Sequence, residues 1–296
     1  MTPEWPFVAE LIGATTGKDI SKARINQVHG GSIRSAWRIE DGPRRYFLKT
    51  SGAAALPMFA GEAAGLDALA SAGVIRTPAV IGHGAANDCA FILLEWLDLL
   101  PLSQAGGSIL GRKLAELHRC LGESWGWTED NFIGTTPQIN TPHRDWAHFF
   151  GEYRLRPQLD LALSRGLGRE LHAKGVGIVD RLGGLFLDYR PQASLLHGDL
   201  WAGNAGQLGN GEPVVFDPAC YWGDREADIA MAELFGGFPT SFFAAYRGEW
   251  ALDRDYERRK PLYNLYHVLN HYNLFGAAYL GQAGRMIEGV LADLRR

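Results

Sequence analysis

Apolar and polar positions change their rhythm partway along the chain. SAWRIE (35–40) alternates loosely, Asp41–Gly42 favours a tight turn, and RRYFLKT (44–50) runs back, which predicts a β-hairpin. AGEAAGLDALASA (60–72) is rich in helix formers and is followed by Gly73, so it predicts a helix with a glycine just past its end. The apolar run AFILLEW (90–96) predicts a buried strand. Beyond it the spacing turns helical, with Leu110, Leu114, Leu117 and Leu121 recurring on one face. A further helix is expected to start near Asp145 and to kink or restart at Pro157. Two short strands, near SLLH (194–197) and PVVF (213–216), are expected to interrupt a helical region that continues to the C-terminus. The pattern predicts an α+β chain of two lobes: a small β-rich lobe over 1–96 and a larger helical lobe over 97–296, joined by a linker near 97–107. A cleft between lobes is the default location for a small-molecule site.

Composition narrows the class. With 46% hydrophobic residues the chain can bury a core, and a net charge of −4 gives no electrostatic reason to expect nucleic acid or an anionic membrane as partner. The segment MTPEWPFVAELIG has neither the basic start nor the long apolar core of a signal peptide. The most apolar stretch, FILLEWLDLL, is broken by Glu95 and Asp98 and is too short to span a bilayer. Cys89, Cys120 and Cys220 are scattered without metal or redox spacing, which suits a reducing compartment, so a cytoplasmic protein is expected.

The chemistry concentrates in LLHGDLWAGN (195–204), which has the form His-x-Asp-x-x-x-x-Asn. Phosphoryl transfer from ATP needs one carboxylate to take the proton of the attacking hydroxyl and a carboxamide just beyond it to hold Mg²⁺. Asp199 is the candidate base and Asn204 the candidate metal ligand. Asp217, at the end of VVFDP, is the candidate second ligand, brought close if the two short strands pair as a hairpin. Taken alone, Asp199 and Asn204 also suit an ordinary turn. The first lobe weighs against that reading. Lys49 on the returning strand is a candidate cation for the nucleotide phosphates, and Glu62 on the next helix a candidate partner for it. In HGGSIRSAW (29–37), the loop Gly30–Gly31–Ser32 precedes the hairpin, and its amides could approach phosphates closely. Glu95, Trp96 and Leu97 form the expected hinge, where backbone groups would meet the adenine edge. Trp201 lies two residues past the base, where an indole face could stack on a sugar, although packing against the helical lobe would also explain it. Asp228, before IAMAELF, is read as a helix N-cap, and His197 as a residue that orients the loop.

HGDLWAGN, FDPACYWGDREADIAM, DNFIGTTPQIN, RLRPQ and NLYHVLNHYNLFG together resemble the fructosamine kinase (ketosamine 3-kinase) family from about Gly30 to about Gln282. The resemblance implies a protein-kinase-like bilobal fold, with ATP and Mg²⁺ as cofactors. It also implies phosphorylation of the 3-hydroxyl of a ketosamine, free or on a glycated lysine of a protein, in repair of glycation. By position, Asp199 matches the proton acceptor, and Glu95 to Leu97 the hinge. Some members carry a cysteine in the glycine-rich loop that permits redox control; this chain has Ser32, so that control is not carried over. Two alternatives remain at this point: a kinase of the same fold acting on an aminoglycoside, choline or a sugar, and a catalytically silent nucleotide-binding module.

Overall fold

The computed structural model describes residues 5–28 and 35–294. Gly30, Gly31 and Ser32 lie outside the described residues. Helix α1 (Trp5–Thr16) precedes a five-stranded antiparallel sheet of β1 (Arg24–Val28), β2 (Ser35–Asp41), β3 (Arg44–Ser51), β4 (Val80–Ala86) and β5 (Cys89–Glu95), in the order β1-β2-β3-β5-β4. Helix α2 (Leu56–Ser71) lies between β3 and β4 in the chain. The hairpin expected over 35–50 is β2–β3. Among the described residues the lobe holds two long helices where one is expected, because Trp5–Thr16 folds as α1. Its Val8, Ala9 and Ile12 pack with Ile39, Leu48 and Leu93 on one face of the sheet. On the other face Ala90, Ile92 and Leu94 meet Phe59, Ala63 and Leu66 of α2. Side chains alternate along a strand, so Tyr46 and Leu48 belong to the α1 face, and Phe47 and Lys49 fall on the α2 side. That alternation delivers Lys49 to the helix that carries Glu62.

After β5 the chain runs without regular structure to α3 (Gln104–Leu117), where the Ser103 side chain accepts from the Gly106 amide as an N-cap. The connecting segment is therefore shorter than expected, because α3 starts inside the predicted linker. Leu100 exchanges backbone hydrogen bonds of 2.8 and 2.9 Å with Gln207, which ties this segment to the helical lobe. Leu121 lies beyond the end of α3, half exposed, instead of extending its apolar face.

The second lobe continues with β6 (Asn131–Ile133), β7 (Thr136–Gln138) and α4 (Trp146–Phe150). Asp145 caps α4 by accepting from the His148 amide. A π-helical turn, Gly151–Leu155, leads into α5 (Arg156–Ser164). Pro157, which has no N–H to donate, sits in the first turn of α5 directly after the π-helical turn, so the helix changes its hydrogen-bond pattern where a kink or restart is expected. There follow α6 (Arg169–Val179), β8 (Ser194–Leu196), β9 (Ala205–Gln207), β10 (Pro213–Val215), β11 (Tyr221–Gly223), α7 (Glu226–Leu234), α8 (Thr240–Glu249), α9 (Tyr256–Phe275) and α10 (Leu280–Asp293). The hairpin expected between the strands near 194 and 213 does not form. Instead β8 pairs with β11 and β9 with β10, both antiparallel. The largest core joins Leu110 and Leu114 of α3 to Leu159 of α5, Leu196 of β8 and Leu265 of α9. Among the described residues no helix is long and apolar enough to cross a membrane.

Candidate active site

Lys49 and Glu62 meet as the alternation of β3 requires, with Nζ 2.7 Å from Glu62 Oε1. Lys49 Nζ also contacts Asp217 Oδ1 from the other lobe. Burial works against the charged amine, but the Asp217 and Glu62 carboxylates outweigh it and hold the Lys49 pKa above its ordinary value. Lys49 is thus a fixed cation at the mouth of the second lobe.

The two short strand pairs bring Asp199, Asn204 and Asp217 together without the predicted hairpin. Gly198 turns the chain with φ +81°, and a Cβ there would lie 2.0 Å from the Ala219 carbonyl oxygen, so only glycine fits before the candidate base. His197 Nε2 donates to the Phe216 carbonyl at 3.0 Å, and the Ala219 amide donates to the His197 carbonyl at 2.8 Å. His197 therefore orients the loop, as its sequence position suggested. Asn204 Nδ2 donates to the Asp199 carbonyl at 2.9 Å and reaches Asp199 Oδ2 at 3.3 Å. Its Oδ1 meets no donor among the described residues. Asp217 adopts φ +55°, a conformation non-glycine residues seldom hold, and its side chain is 44% exposed. Burial and then the charge of Asp217 push the Asp199 pKa up to about 7, against an opposing hydrogen bond from Asn204. A base poised near neutrality accepts and releases a proton with little penalty.

Asp228 is not the N-cap the sequence suggested. Arg225 holds that position, and Asp228 points from the first turn of α7 into the loop before Asp199. Its Oδ2 accepts from the His197 amide at 2.8 Å and its Oδ1 from the Gly198 amide at 2.9 Å, with His118 Nε2 3.2 Å away. Burial alone would raise its pKa; the hydrogen bonds and the neighbouring imidazoles hold it below the ordinary range instead. An ionised, buried carboxylate thus clamps two successive amides. Sequence reasoning also left the roles of NFIGTTPQIN and RLRPQ open. Asn131 Nδ2 donates to the Cys220 carbonyl at 2.7 Å, and Gln138 Nε2 to the Ala219 carbonyl at 3.2 Å. Arg154 in turn donates to Asn140 Oδ1 at 2.5 Å. These side chains hold the backbone that follows Asp217. Sequence alone offers no signal for them, because a polar residue that is buried against a distant backbone looks the same in sequence as one that faces water.

Lys49, Glu62, Glu95, Trp96, Leu97, Asp199, Trp201, Asn204 and Asp217 all line one cavity of about 1000 Å³ between the lobes. At the hinge the Glu95 amide is already bound to the Ala79 carbonyl and the Trp96 amide to that of Arg45, whereas the Leu97 amide has no partner among the described residues. The Glu95 carboxylate pairs with Arg76. Trp201 is 39% exposed, so it is not a core residue. Its ring lies over Gly203, where a Cβ would come within 2.2 Å of the indole. His271, Leu274 and Phe275 of α9 also line the cavity. Oxygen and cationic groups together with aromatic surface on one cavity suit a phosphate-bearing ligand beside a weakly charged acceptor.

The fructosamine kinase family model matches residues 4–293. A curated relative from Vibrio cholerae, named "Probable ketoamine kinase", is 43% identical over 97% of this chain and 99% of its own. The chloroplastic protein-ribulosamine 3-kinase of Arabidopsis thaliana is 39% identical over 95% of this chain and 86% of its own length. A crystal structure from Haemophilus somnus, provisionally named a fructosamine-3-kinase, superposes with a TM-score of 0.86 at 31% identity, covering 96% of each chain. An aminoglycoside phosphotransferase, APH(4)-Ia, bound to ADP and hygromycin B, shares the fold with a TM-score of 0.63 at 16% identity, over 99% of each chain. The protein-kinase-like fold and a phosphotransferase activity follow, and the chain belongs to the fructosamine kinase family.

Proposed function

We propose that this chain uses ATP to phosphorylate the 3-hydroxyl of a ketosamine. The observation that carries the reading is the meeting of Asp199, Asn204, Asp217 and Lys49 on one cavity between the lobes. Asp199 takes the proton of the hydroxyl as its oxygen attacks the γ-phosphorus of ATP. The bond to the β–γ bridging oxygen breaks, giving ADP and the ketosamine 3-phosphate. Lys49 contributes positive charge toward the phosphates, and the amide of Leu97 is available to the adenine edge. Asn204 Oδ1 and the Asp217 carboxylate are a sparse, all-oxygen donor set that suits Mg²⁺, which would neutralise phosphate charge when bound. The 3-phosphate destabilises the adduct, which makes repair of glycated amines the biological role. Residues 1–96 are the nucleotide-binding lobe, and 97–296 the lobe with the catalytic loop and the acceptor site. The free thiols of Cys89, Cys120 and Cys220 suit a cytoplasmic setting.

Relatives named for ketoamine and ribulosamine support this substrate class. The cavity argues against a polycation such as an aminoglycoside. Of its five carboxylates, Glu62 and Asp217 are paired with Lys49, Glu95 with Arg76 and Asp98 with Arg45, which leaves Asp199, the proposed base, as the one without a Lys or Arg partner among the described residues. An ATP-consumption screen over ribulosyl-, erythrulosyl- and fructosyl-lysine beside aminoglycosides and choline tests it. The ketosamines should exceed the others by at least about a hundredfold in kcat/KM. Preference for an aminoglycoside or choline would overturn the substrate assignment.

Trp201 is the proposed stacking surface for the sugar. Losing such an aromatic contact and misplacing the hydroxyl should make Trp201→Ala lower ketosamine kcat/KM by at least about tenfold. The Kd for ATP should stay within about twofold, with Trp201→Phe intermediate. Kinetics unchanged in a stable Trp201→Ala protein would remove this residue from the site.

A further inference from the structure

Asn270 is a buried polar residue on α9, only 2% exposed, and it lines the catalytic cavity. The direction of its carboxamide follows from a chain of hydrogen bonds that begins at a backbone carbonyl, which can only accept. Asn273 Nδ2 donates to the Gln158 carbonyl at 3.0 Å and to Gln158 Oε1 at 2.7 Å. With its oxygen so engaged, Gln158 turns Nε2 toward Asn270 and donates to Asn270 Oδ1 at 3.2 Å. The Asn270 amino group is left facing away from this chain. It makes no hydrogen bond to any described residue, and because Asn270 lines the cavity with its Oδ1 held by Gln158, the amino group is the end left to open toward the cavity.

The same helix fixes how near this donor is to the base. His267 precedes Asn270 by three residues, so the two share a helix face with Cβ atoms about 5–6 Å apart. His267 Nδ1 lies 4.0 Å from Asp199 Oδ1. Of the other amine and amide side chains on the cavity, Lys49 is bound to Glu62 and Asp217, and Asn204 to Asp199. Asn270 is the uncommitted one among the described residues.

We propose that Asn270 Nδ2 donates a hydrogen bond to the acceptor, at the ketone oxygen beside the hydroxyl that Asp199 deprotonates. The proposal rests on the ketosamine-kinase reading. A ketone oxygen only accepts, so a donor-only amino group complements it, and the bond would orient the neighbouring hydroxyl toward Asp199. Asn270 is then an acceptor-binding residue that separates ketosamines from acceptors lacking an oxygen at that position.

The test compares Asn270→Asp and Asn270→Ala with the wild type on whichever glycated lysine the wild type phosphorylates best. Asn270→Asp keeps the volume and the bond from Gln158 but turns a carboxylate oxygen to the cavity. It should lower kcat/KM by ten- to a hundredfold, mainly through KM, with ATP Kd and melting temperature near wild type. Asn270→Ala, which removes the donor without adding charge, should lose about tenfold. Wild-type kcat/KM in a folded Asn270→Asp protein would overturn the proposal while leaving the kinase reading intact. So would parallel losses in ATP binding, melting temperature and acceptor kinetics in both variants, which mark a packing role. A wild type inactive on every ketosamine would instead refute the underlying function, and the assignment of Asn270 with it.

Discussion

Asp199→Asn is expected to lower kcat by roughly 10²–10⁴-fold and to leave the Kd for ATP within about twofold, the share of rate a general base supplies. The substitution keeps the size of the side chain and its place beside Asn204, and removes only the proton acceptor. Steady-state turnover together with nucleotide titration checks it; near-normal turnover would reassign the base. The same variant carries a stability signature. The folded-state pKa of Asp199 is raised to about 7, so its contribution to stability is fully present below the ordinary carboxylate pKa and is lost as pH rises through about 7. At pH 8 the wild type bears the cost of ionising a largely enclosed carboxylate next to Asp217. The rise from the ordinary carboxylate range to about 7, discounted because the side chain is 22% exposed, corresponds to a cost on the order of 1–3 kcal/mol. Asp199→Asn should therefore melt above the wild type at pH 8, with the difference shrinking toward pH 4. A variant that melts no higher at pH 8 would mean that Asp199 is not strained by its surroundings.

Asp217→Asn is expected to raise the Kd for Mg²⁺-ATP by at least about tenfold and to lower kcat by roughly a hundredfold, because a carboxylate that offsets phosphate and metal charge becomes neutral. Asn is the right replacement here. It tolerates the positive φ of this position, where Ala would add backbone strain to the lost charge. Excess Mg²⁺ should recover part of the activity of Asn204→Ala, which loses one neutral ligand, and none of that of Asp199→Asn, which loses a proton acceptor. Titrating Mg²⁺ against turnover in the three variants separates the roles. Equal recovery in Asn204→Ala and Asp199→Asn would dissolve the division between metal ligand and base.

Much of the site was legible because local chemistry forces it. A strand that alternates across 44–50 must put Lys49 on one face, and the turn at Asp41–Gly42 fixes where that strand begins. The loop 197–204 concentrates its functional groups within a few residues, so their spacing survives any fold around them. What sequence could not decide was partnership across distance. Strands of three residues, such as β8 to β11, are too short to show a period, so sequence does not reveal β9 or that β10 pairs with it while β8 pairs with β11. Asp228 looks like a helix cap in sequence because the cap preference is local, yet its partners lie in the loop before Asp199, which only the tertiary fold brings beside α7. Asn270 gave no sequence signal distinct from a polar helix residue. Its role depends on the direction of one amide, and that direction is set by Gln158 and Asn273, held together by the packing of α5 on α9. Local pattern thus determined which groups the chain carries and which strand or loop presents them. Tertiary structure decided which way they point, because a buried hydrogen bond has a donor end and an acceptor end that only the partner from another element can assign.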